Sequence, residues 1–407
     1  MKIALYTNDL VYENKHLMPW RTVLEVASNS HLFGQEAYVF SGRRFPAQKN
    51  WYYKNCLITE IEKPYSRKAA ELFCTVLKDE SFDVLFLPAA WCKASYQKKL
   101  VEAIDIPIVW YVPGAYYHFG QVLRSMKYLS LRTVIPYLIQ SLYPKKYLIS
   151  QMLSSNSNFL ITTSEYTKQK VCQAGWSSNS VFTIYPGKPP RTELSENKKT
   201  EIYHVISKKL AGRQFYLFMG PPAAIRGINQ LLKAFALLAD KRKDVCLVCL
   251  FRSDSWTDST QVRSYLSRVK FSDRIFCLWK SVSKSDLQAF MYNCYAVALP
   301  FLLVPSEIPL AIIEAAGHSK PVITTGLGGT GSFVEKFGLQ VTSASQQSLM
   351  GAMLKLLEDK HLYLEKCTSA QKIFESHPTW EDVTQQWLSV AQKAVGKELE
   401  ALLEKVS

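Results

Sequence analysis

The chain has 407 residues, of which 48% are hydrophobic and 13% aromatic. It is too long for one ordinary core and suits two domains of roughly 150–200 residues, and its apolar content excludes a disordered or collagen-like protein. The formal net charge of +15 predicts attraction to an anionic partner such as nucleic acid, a phosphorylated substrate or an acidic membrane surface.

Cysteine usage and the N-terminus predict an intracellular protein without a metal or disulfide framework. Nine cysteines are scattered without CxxC pairs, which favours buried, reduced thiols over a zinc site or disulfides. The opening MKIALYTNDLVYEN becomes polar before a signal-peptide apolar region could form, and no run of about 18 apolar residues follows. We therefore expect a cytoplasmic location.

The first half of the chain alternates apolar strands with helical segments. The segments KIALYT, QEAYVFSG, FDVLFLP, IPIVWYVPG, NFLITTS and VFTIYPG have the apolar character of parallel strands that are buried on both faces. Helical spacing occurs in WRTVLEVASNSHLFG, which ends at Gly34, and in EYTKQKVCQAG. The chain therefore begins as a βαβ unit.

Residues 188–213 interrupt this alternation with proline and charged residues, which predicts a linker. The alternation restarts at QFYLFMG and runs to KPVITTG, so we expect two doubly wound, Rossmann-like α/β domains that face each other across a cleft. We place a first domain at 1–190 and a second domain at 191–379. The helical segment 380–407 is expected to cross back to the first domain.

A basic, aromatic segment follows the strand IPIVWYV. No acidic residue occurs between Asp105 and Glu165. The cations of the segment are Arg124, Lys127, Arg132, Lys145 and Lys146, and they alternate with Tyr128, Leu129, Leu131, Val134, Ile135, Tyr137, Leu138 and Tyr143. One interpretation is a core-packed helix pair with a solvated basic face, and another is a surface within 118–152 that lies on an anionic membrane. Nucleic acid is disfavoured because no recognised binding motif accompanies the charge.

The segment PSEIPLAIIEAAGHSKPVI places two acids around an apolar run. Leu310, Ile313 and Ala316 form the predicted buried face of a helix, which sets Glu314 beside core positions, where an unpartnered carboxylate is costly. Glu307 precedes the helix start, where free backbone N–H groups and the helix dipole favour anions. An alternative interpretation without a ligand site also remains, in which Ser306 is the N-cap of the helix and Glu307 is solvated.

These residues resemble the donor-site pattern of family 4 retaining glycosyltransferases, which have the GT-B fold. The matching positions in this segment are Pro305, Ser306, Glu307, Glu314, Ala315, Pro321, Val322, Ile323, Gly328 and Gly329. Further similarity lies in SEYTKQ, in IYPGK and in FMGPPAAIRGINQLLKAF, in the order expected along nearly the whole chain.

The resemblance implies a nucleotide-diphosphate sugar as substrate, bound mostly by the second domain, with the acceptor on the side of the first domain. No cofactor is expected, and no essential metal is expected because no DxD-like pair follows a strand. It implies that Glu314 binds the ribose hydroxyls, that Ser306 or Glu307 contacts the transferred sugar, and that Arg226 neutralises the leaving phosphate. The expected catalytic residues are His118, Arg226 and Glu307. The expected donor-binding residues are Gly220, Arg226, Lys280, Val282, Ser306, Glu307, Pro309, Leu310 and Glu314. The acceptor is expected to be a saccharide or lipid-linked glycan.

Three departures bear on activity. The two acids are seven residues apart where the family has eight, so either a loop residue is missing or Ser306 takes the place of the first acid. Pro221 stands where the family often has an arginine, and the usual Gly-Gly loop after the first strand is replaced by TNDLVYENKHLMPWR. A second cation could come from Lys280, Arg252 or Arg21.

Two alternatives from other classes remain. A glycosyltransferase-like binding protein without activity is motivated by Pro221 and by the shortened acid spacing. A nicotinamide-dependent dehydrogenase is disfavoured because no GxGxxG follows the first strand.

Overall fold

The computed structural model describes residues 1–46, 50–64, 66–89, 100–115, 117–142, 145–153, 158–190, 200–252, 259–304, 306–342 and 344–406. Two predominantly parallel sheets, each covered by helices, form two domains. The predicted α/β architecture is therefore confirmed. The predicted boundary at 190/191 adjoins residues 191–199, which lie outside the described ranges.

The first domain contains an eight-stranded sheet of order β3-β4-β2-β1-β5-β6-β7-β8, in which only β3 is antiparallel to its neighbour. Its strands are β1 (Lys2–Asn8), β2 (Glu36–Arg43), β3 (Asn50–Tyr53), β4 (Cys56–Glu62), β5 (Val84–Pro88), β6 (Ile108–Tyr111), β7 (Phe159–Thr162) and β8 (Val181–Thr183). Its helices include α1 (Trp20–Asn29), α2 (Arg67–Asp79), α3 (Phe119–Ser125), α4 (Leu131–Leu142), α5 (Lys145–Met152) and α6 (Glu165–Gln173).

The second domain contains a six-stranded parallel sheet of order β11-β10-β9-β12-β13-β14. Its strands are β9 (Gln214–Gly220), β10 (Val245–Phe251), β11 (Ile275–Leu278), β12 (Ala296–Leu299), β13 (Val322–Thr325) and β14 (Leu339–Val341). Its helices are α7 (Glu201–Leu210), α8 (Ile228–Lys241), α9 (Thr260–Leu266), α10 (Lys284–Asn293), α11 (Leu310–Gly317), α12 (Gly328–Glu335), α13 (Gln346–Glu358) and α14 (Lys360–Ser376).

Continuous apolar runs become strands that are covered on both faces. Every residue of β10 is buried, and so is every residue of β12 and β13. Helices on both sides of the sheet explain why these strands show no polar alternation.

The C-terminal helix α15 (Trp380–Val406) returns to the first domain, as the sequence predicts. The buried ring of Trp387 packs against Phe86 of β5 and Tyr111 of β6, with ring centroids 5.0 and 5.4 Å apart. This apolar contact fastens the end of the chain to the first sheet, although α15 directly follows a helix of the second domain.

The basic segment packs partly against the second domain. Val122, Leu129 and Val134 form a buried cluster with Leu302 and Leu303 of the second domain. The hydroxyl of Tyr117 is also hydrogen-bonded to the backbone of Val304. One face of this segment is therefore core, as the first interpretation expects. Within the described ranges, no helix combines the length and apolar character needed to cross a membrane.

Candidate functional site

The carboxyl ends of β9 and β12 define the candidate site. The chain proceeds from β9 to β10 and β11 on one side of the sheet, and from β12 to β13 and β14 on the other. The loops that follow β9 and β12 therefore diverge at a topological switch point, where open α/β sheets bind ligands. The loop 220–227 follows β9, and the loop 300–309 leads from β12 to α11.

Arg226 is held where these two loops meet. A 3-10 turn, Ala224–Arg226, ends the first loop, and the carbonyl oxygen of Ile225 accepts hydrogen bonds from the N–H groups of Leu302 (2.8 Å) and Leu303 (3.0 Å). The Arg226 guanidinium lies against Gly220, since a Cβ added there would be 2.8 Å from Nη1. The backbone bonds fix the turn, and the absent Gly220 side chain leaves room for the guanidinium, so this cation is positioned at the switch point.

Glycine at 227 is required for this junction. Its φ of +71° lies in the left-handed region, and an added Cβ would lie 1.9 Å from the carbonyl oxygen of Pro300. Any larger residue would push the loops 220–227 and 300–309 apart. Gly227 therefore allows helix α8 to start directly beside the second loop.

Glu314 lies half-buried on α11. Burial raises its pKa to about 7, while the positive charges of Arg21 and Lys284 lower it. Within the described residues, its carboxylate makes no hydrogen bond or ion pair. A carboxylate with both oxygens available can accept hydrogen bonds from two vicinal hydroxyl groups, which is the role that the family resemblance implies for this residue.

Cations from both domains lie near this carboxylate. Arg21 of α1 acts on Glu314 from the first domain and forms an ion pair with buried Glu25 at 2.6 Å. Burial, followed by the positive charges of Arg252, Arg21 and Lys15, lowers the pKa of His16. Arg252 of the second domain is therefore close enough to His16 of the first domain for its charge to act on the imidazole.

Glu307 makes contacts that the sequence does not predict. Its side chain is 1% exposed, and the Thr167 hydroxyl donates to both carboxylate oxygens at 2.7 Å. Further donors are the N–H of Gly329 at 3.1 Å and the Thr163 hydroxyl at 3.4 Å. The carboxylate therefore links the first domain to the N-terminus of α12. Contact with a transferred sugar would require some of these bonds to be exchanged.

The protonation of Glu307 reflects two opposing effects. Burial raises its pKa, and hydrogen bonds from Thr167, Ser164, Gly329 and Thr163 act in the other direction. Thr167 lies in the first turn of α6, and Gly329 lies in the first turn of α12. Two helix N-termini thus face one carboxylate, which is the charge complementarity expected at such ends. Ser306, the neighbouring predicted sugar contact, is also buried.

His118 stands at the junction of the domains. It is the N-cap residue of α3, and its exposed ring lies edge-on to Tyr166 with centroids 6.3 Å apart. A Cβ added to Gly328 would lie 3.5 Å from both Tyr166 and the Glu307 carboxylate. Tyr166 therefore lies between His118 and Gly328 at the start of α12.

The remaining predicted donor-binding residues lie at different distances from the switch point. Lys280 and Val282 follow β11, which is two strands from β9, about 10 Å at ordinary strand spacing. Lys280 is exposed, whereas Val282 packs against the second-domain core. Pro309 is the N-cap residue of α11, and Leu310 contacts the cores of both domains. The predicted donor-binding residues therefore come from several elements of the second domain.

Sequence reasoning missed two groups at this site. His16 was not distinguished from other loop residues, and the Thr167–Glu307 contact was not foreseen. The similarity of SEYTKQ to the family pattern is the sequence signal for Ser164 and Thr167. No group of three His, Cys, Asp or Glu side chains within the described ranges lies close enough to hold a metal ion.

Comparison with known proteins finds a family similarity in the second domain. Residues 213–359 match the family model described as Glycosyl transferases group 1. This matched range begins just before β9 and includes Arg226, Glu307 and Glu314. No curated protein matches the chain by sequence.

Solved structures resemble the whole chain at low identity. A glycosyltransferase from Rickettsia africae has a TM-score of 0.69 at 15% identity, with 97% of this chain and 98% of that one covered. The Anabaena protein HepE in complex with UDP has a TM-score of 0.69 at 14% identity, with 97% and 100% covered. A trehalose 6-phosphate synthase from Burkholderia multivorans has a TM-score of 0.68 at 11% identity, with 97% and 98% covered. The chain therefore shares the GT-B fold of these structures.

Proposed function

We propose that the protein is a retaining glycosyltransferase that moves a sugar from a nucleotide-diphosphate sugar to an acceptor hydroxyl. The observation that carries the proposal is Glu314, a half-buried carboxylate on the helix after the switch-point loop. It has no hydrogen-bond or ion-pair partner among the described residues, the charges of Arg21 and Lys284 act on it, and it lies within the range that matches the family model. Solved complexes of HepE with UDP and with UDP-glucose make uridine donors the first class to test.

In this proposal the second domain holds the donor. Glu314 accepts hydrogen bonds from the two ribose hydroxyls, as a carboxylate does well. Arg226 faces the diphosphate, and Arg252 supplies the second cation that the resemblance leaves open. Both are fixed at carboxyl ends of parallel strands, so they would stabilise the charge of the departing group without reorganising.

The proposed transfer breaks the bond between the anomeric carbon and the diphosphate oxygen. The electron pair leaves with the diphosphate, and the acceptor oxygen forms its bond to the anomeric carbon on the same face. The acceptor proton passes to the departing phosphate or to water. Arg226 and the helix dipoles supply the positive charge, without an essential metal in this proposal.

The acceptor is proposed to be a surface polysaccharide, a glycolipid or a lipid-linked glycan. The first domain would bind it, with His118 at the junction of the domains in contact with the donor sugar or the acceptor. The charge surplus fits a substrate or surface that carries negative charge. Peripheral contact with an anionic membrane through residues 118–152 belongs to the same proposal.

The alternative is an inactive binding protein, and the arrangement of Glu307 gives it a specific basis. Both oxygens of this carboxylate are engaged by donors, so the predicted sugar contact is not preformed. Release of nucleoside diphosphate from a panel of nucleotide sugars, measured with and without saccharide and lipid-linked acceptors, separates the two functions. Diphosphate release that Arg226→Ala abolishes supports transfer. Donor binding without release by any acceptor would favour the binding protein.

A further inference from the structure

Helix α4 carries an apolar face that the fold leaves uncovered. Leu131, Ile135, Ile139 and Leu142 are 62%, 48%, 51% and 64% exposed. Their spacing of four, four and three residues places them along one side of the helix. A surface helix of a globular protein normally turns charged and polar residues outward, so an outward row of large aliphatic side chains indicates an interaction surface.

The adjoining side of the same helix is already covered by other parts of the chain. Val134 is fully buried, and Tyr137 and Leu138 pack into the cluster with Leu302 and Leu303. Tyr137 also meets the ring of Tyr117 edge-on, with centroids 5.7 Å apart. The inner face therefore anchors α4 to both domains, and the outer row is a second apolar face.

The charged residues of this segment indicate what kind of partner the exposed apolar face of α4 binds. Arg124, Lys127, Arg132 and Lys146 are exposed in the same part of the chain, in which no acidic residue lies between Asp105 and Glu165. Phe119 and Leu123 on α3 and Tyr147 on α5 are exposed as well. A segment that exposes aliphatic and aromatic side chains together with cations matches the interface of an anionic bilayer, where lipid phosphates face the cations and acyl chains receive the apolar groups.

We propose that the α4 face (Leu131, Ile135, Ile139 and Leu142), with its basic border (Arg124, Lys127, Arg132 and Lys146), docks on an anionic lipid bilayer. This proposal names the residues that make the membrane contact included in the proposed function. It rests on the proposed function for the statement that the acceptor is lipid-linked. Vesicle binding itself is measured without donor or acceptor, so either proposal can fail alone.

Docking through this face would bring the cleft close to the bilayer. The hydrogen bonds of Tyr117 to Val304 and the packing of α3 and α4 on Leu302 and Leu303 tie the face to the loop 300–309. That loop in turn receives the backbone bonds of the turn that holds Arg226. A lipid-linked acceptor held in the same bilayer could therefore reach the cleft without leaving the membrane.

The test is cosedimentation of the full chain with two kinds of vesicle, pure phosphatidylcholine and equal parts of phosphatidylcholine and phosphatidylglycerol. Binding to the anionic vesicles is expected to weaken with added salt, since exposed charges are screened. The double variant Ile135→Asn with Ile139→Asn should lose about tenfold or more in partitioning, because it removes two aliphatic side chains from the interface. Arg124→Glu with Arg132→Glu should remove the preference for anionic vesicles.

Matched controls come from apolar residues that are equally exposed elsewhere. Leu72 on α2 and Leu364 on α14 are 64% and 63% exposed, and Leu72→Asn with Leu364→Asn should leave partitioning within about twofold of the unaltered chain. Circular dichroism of each variant checks that the fold is retained.

The proposal is overturned if the unaltered chain binds neither kind of vesicle, or if the Asn variants on α4 bind anionic vesicles as well as the unaltered chain does. A third result would also overturn it: the chain does not bind vesicles, and sedimentation velocity shows a dimer that the Asn variants on α4 dissociate. In that case a second copy of the chain covers the face.

Discussion

The hydroxyl of Thr167 in the first domain lies 2.7 Å from both carboxylate oxygens of Glu307 in the second. The two residues are 140 positions apart in the chain. Because Glu307 is almost completely buried, its charge depends on this hydroxyl and on the N–H of Gly329 for compensation. The contact thus stabilises one arrangement of the two domains around the cleft.

Replacing Thr167 with valine should destabilise the protein. The variant keeps the shape of the side chain but removes a hydrogen-bond donor from a buried carboxylate, which costs about 1–3 kcal/mol. Chemical denaturation measures the change in the free energy of unfolding. Thr75→Val is the control, because the exposed Thr75 hydroxyl bonds only to the Glu71 carbonyl within α2. Equal stability of the two variants would show that the Glu307 contact contributes nothing.

Replacing Glu314 with glutamine should weaken nucleotide binding and leave the fold intact. Glutamine has one carboxamide oxygen and no charge, so it loses a charged hydrogen bond to the ribose, about 1.5–3 kcal/mol or roughly 10- to 150-fold in Kd. Calorimetric titration with the best nucleoside diphosphate measures the loss. Glu335→Gln, an exposed acid on α12, is the control. Unchanged affinity in Glu314→Gln would remove Glu314 from the site.

Stability should depend on pH through Glu314. Its pKa is raised from 4.5 to about 7 in the folded chain, so between these values the folded state keeps a proton that the unfolded state has lost. The contribution of this residue to the free energy of unfolding therefore falls as pH rises through this window, by up to about 3 kcal/mol.

The comparison of the ligand-free protein with Glu314→Gln isolates this effect. The glutamine variant should gain stability relative to the unaltered protein between about pH 5 and about pH 8, because it carries no carboxylate to ionise. Denaturant unfolding at both pH values measures the difference. A difference that does not change with pH would contradict the raised pKa.

Replacing Arg226 with alanine should lower turnover more than donor affinity. The guanidinium is fixed beside Gly220, where it can meet the charge that develops on the departing phosphate, and loss of such a group costs about 10²–10³ in kcat. Arg268→Ala, which removes an exposed arginine that bonds within its own segment, is the control. An equal loss of kcat in both variants would assign the effect to net charge and not to position.

The sequence allowed the prediction of the parts of this fold that local patterns determine. Runs such as VCLVCLF become fully buried strands because helices cover both faces of the sheet. The position of Arg226 and Gly227, in a loop between a strand and a helix, could also be predicted, because the strand, the loop and the helix follow one another in the sequence. The contact between Thr167 and Glu307 could not be predicted, because it depends on how the two domains pack. The proximity of His16 to Arg252 depends on the same packing.

The basic segment shows a different limit. Its composition fitted both a packed helix and a membrane surface, and the structure gives α4 a buried face and an exposed apolar face at once. When apolar residues occur on most sides of a helix, the sequence alone does not predict which of them are covered by the rest of the chain.

Nucleotide binding in the cleft is tested most directly by thermal unfolding of the purified protein against a panel of nucleotides and nucleotide sugars, in parallel with Glu314→Gln. A ligand that binds only the folded state at about 100 times its Kd adds about 2.7 kcal/mol to stability. We expect the nucleoside diphosphate of one base, and the nucleotide sugars of the same base, to raise the melting temperature. The rise should be smaller in the Glu314→Gln variant. No rise with any nucleotide, or the same rise in both proteins, would contradict a donor site at Glu314.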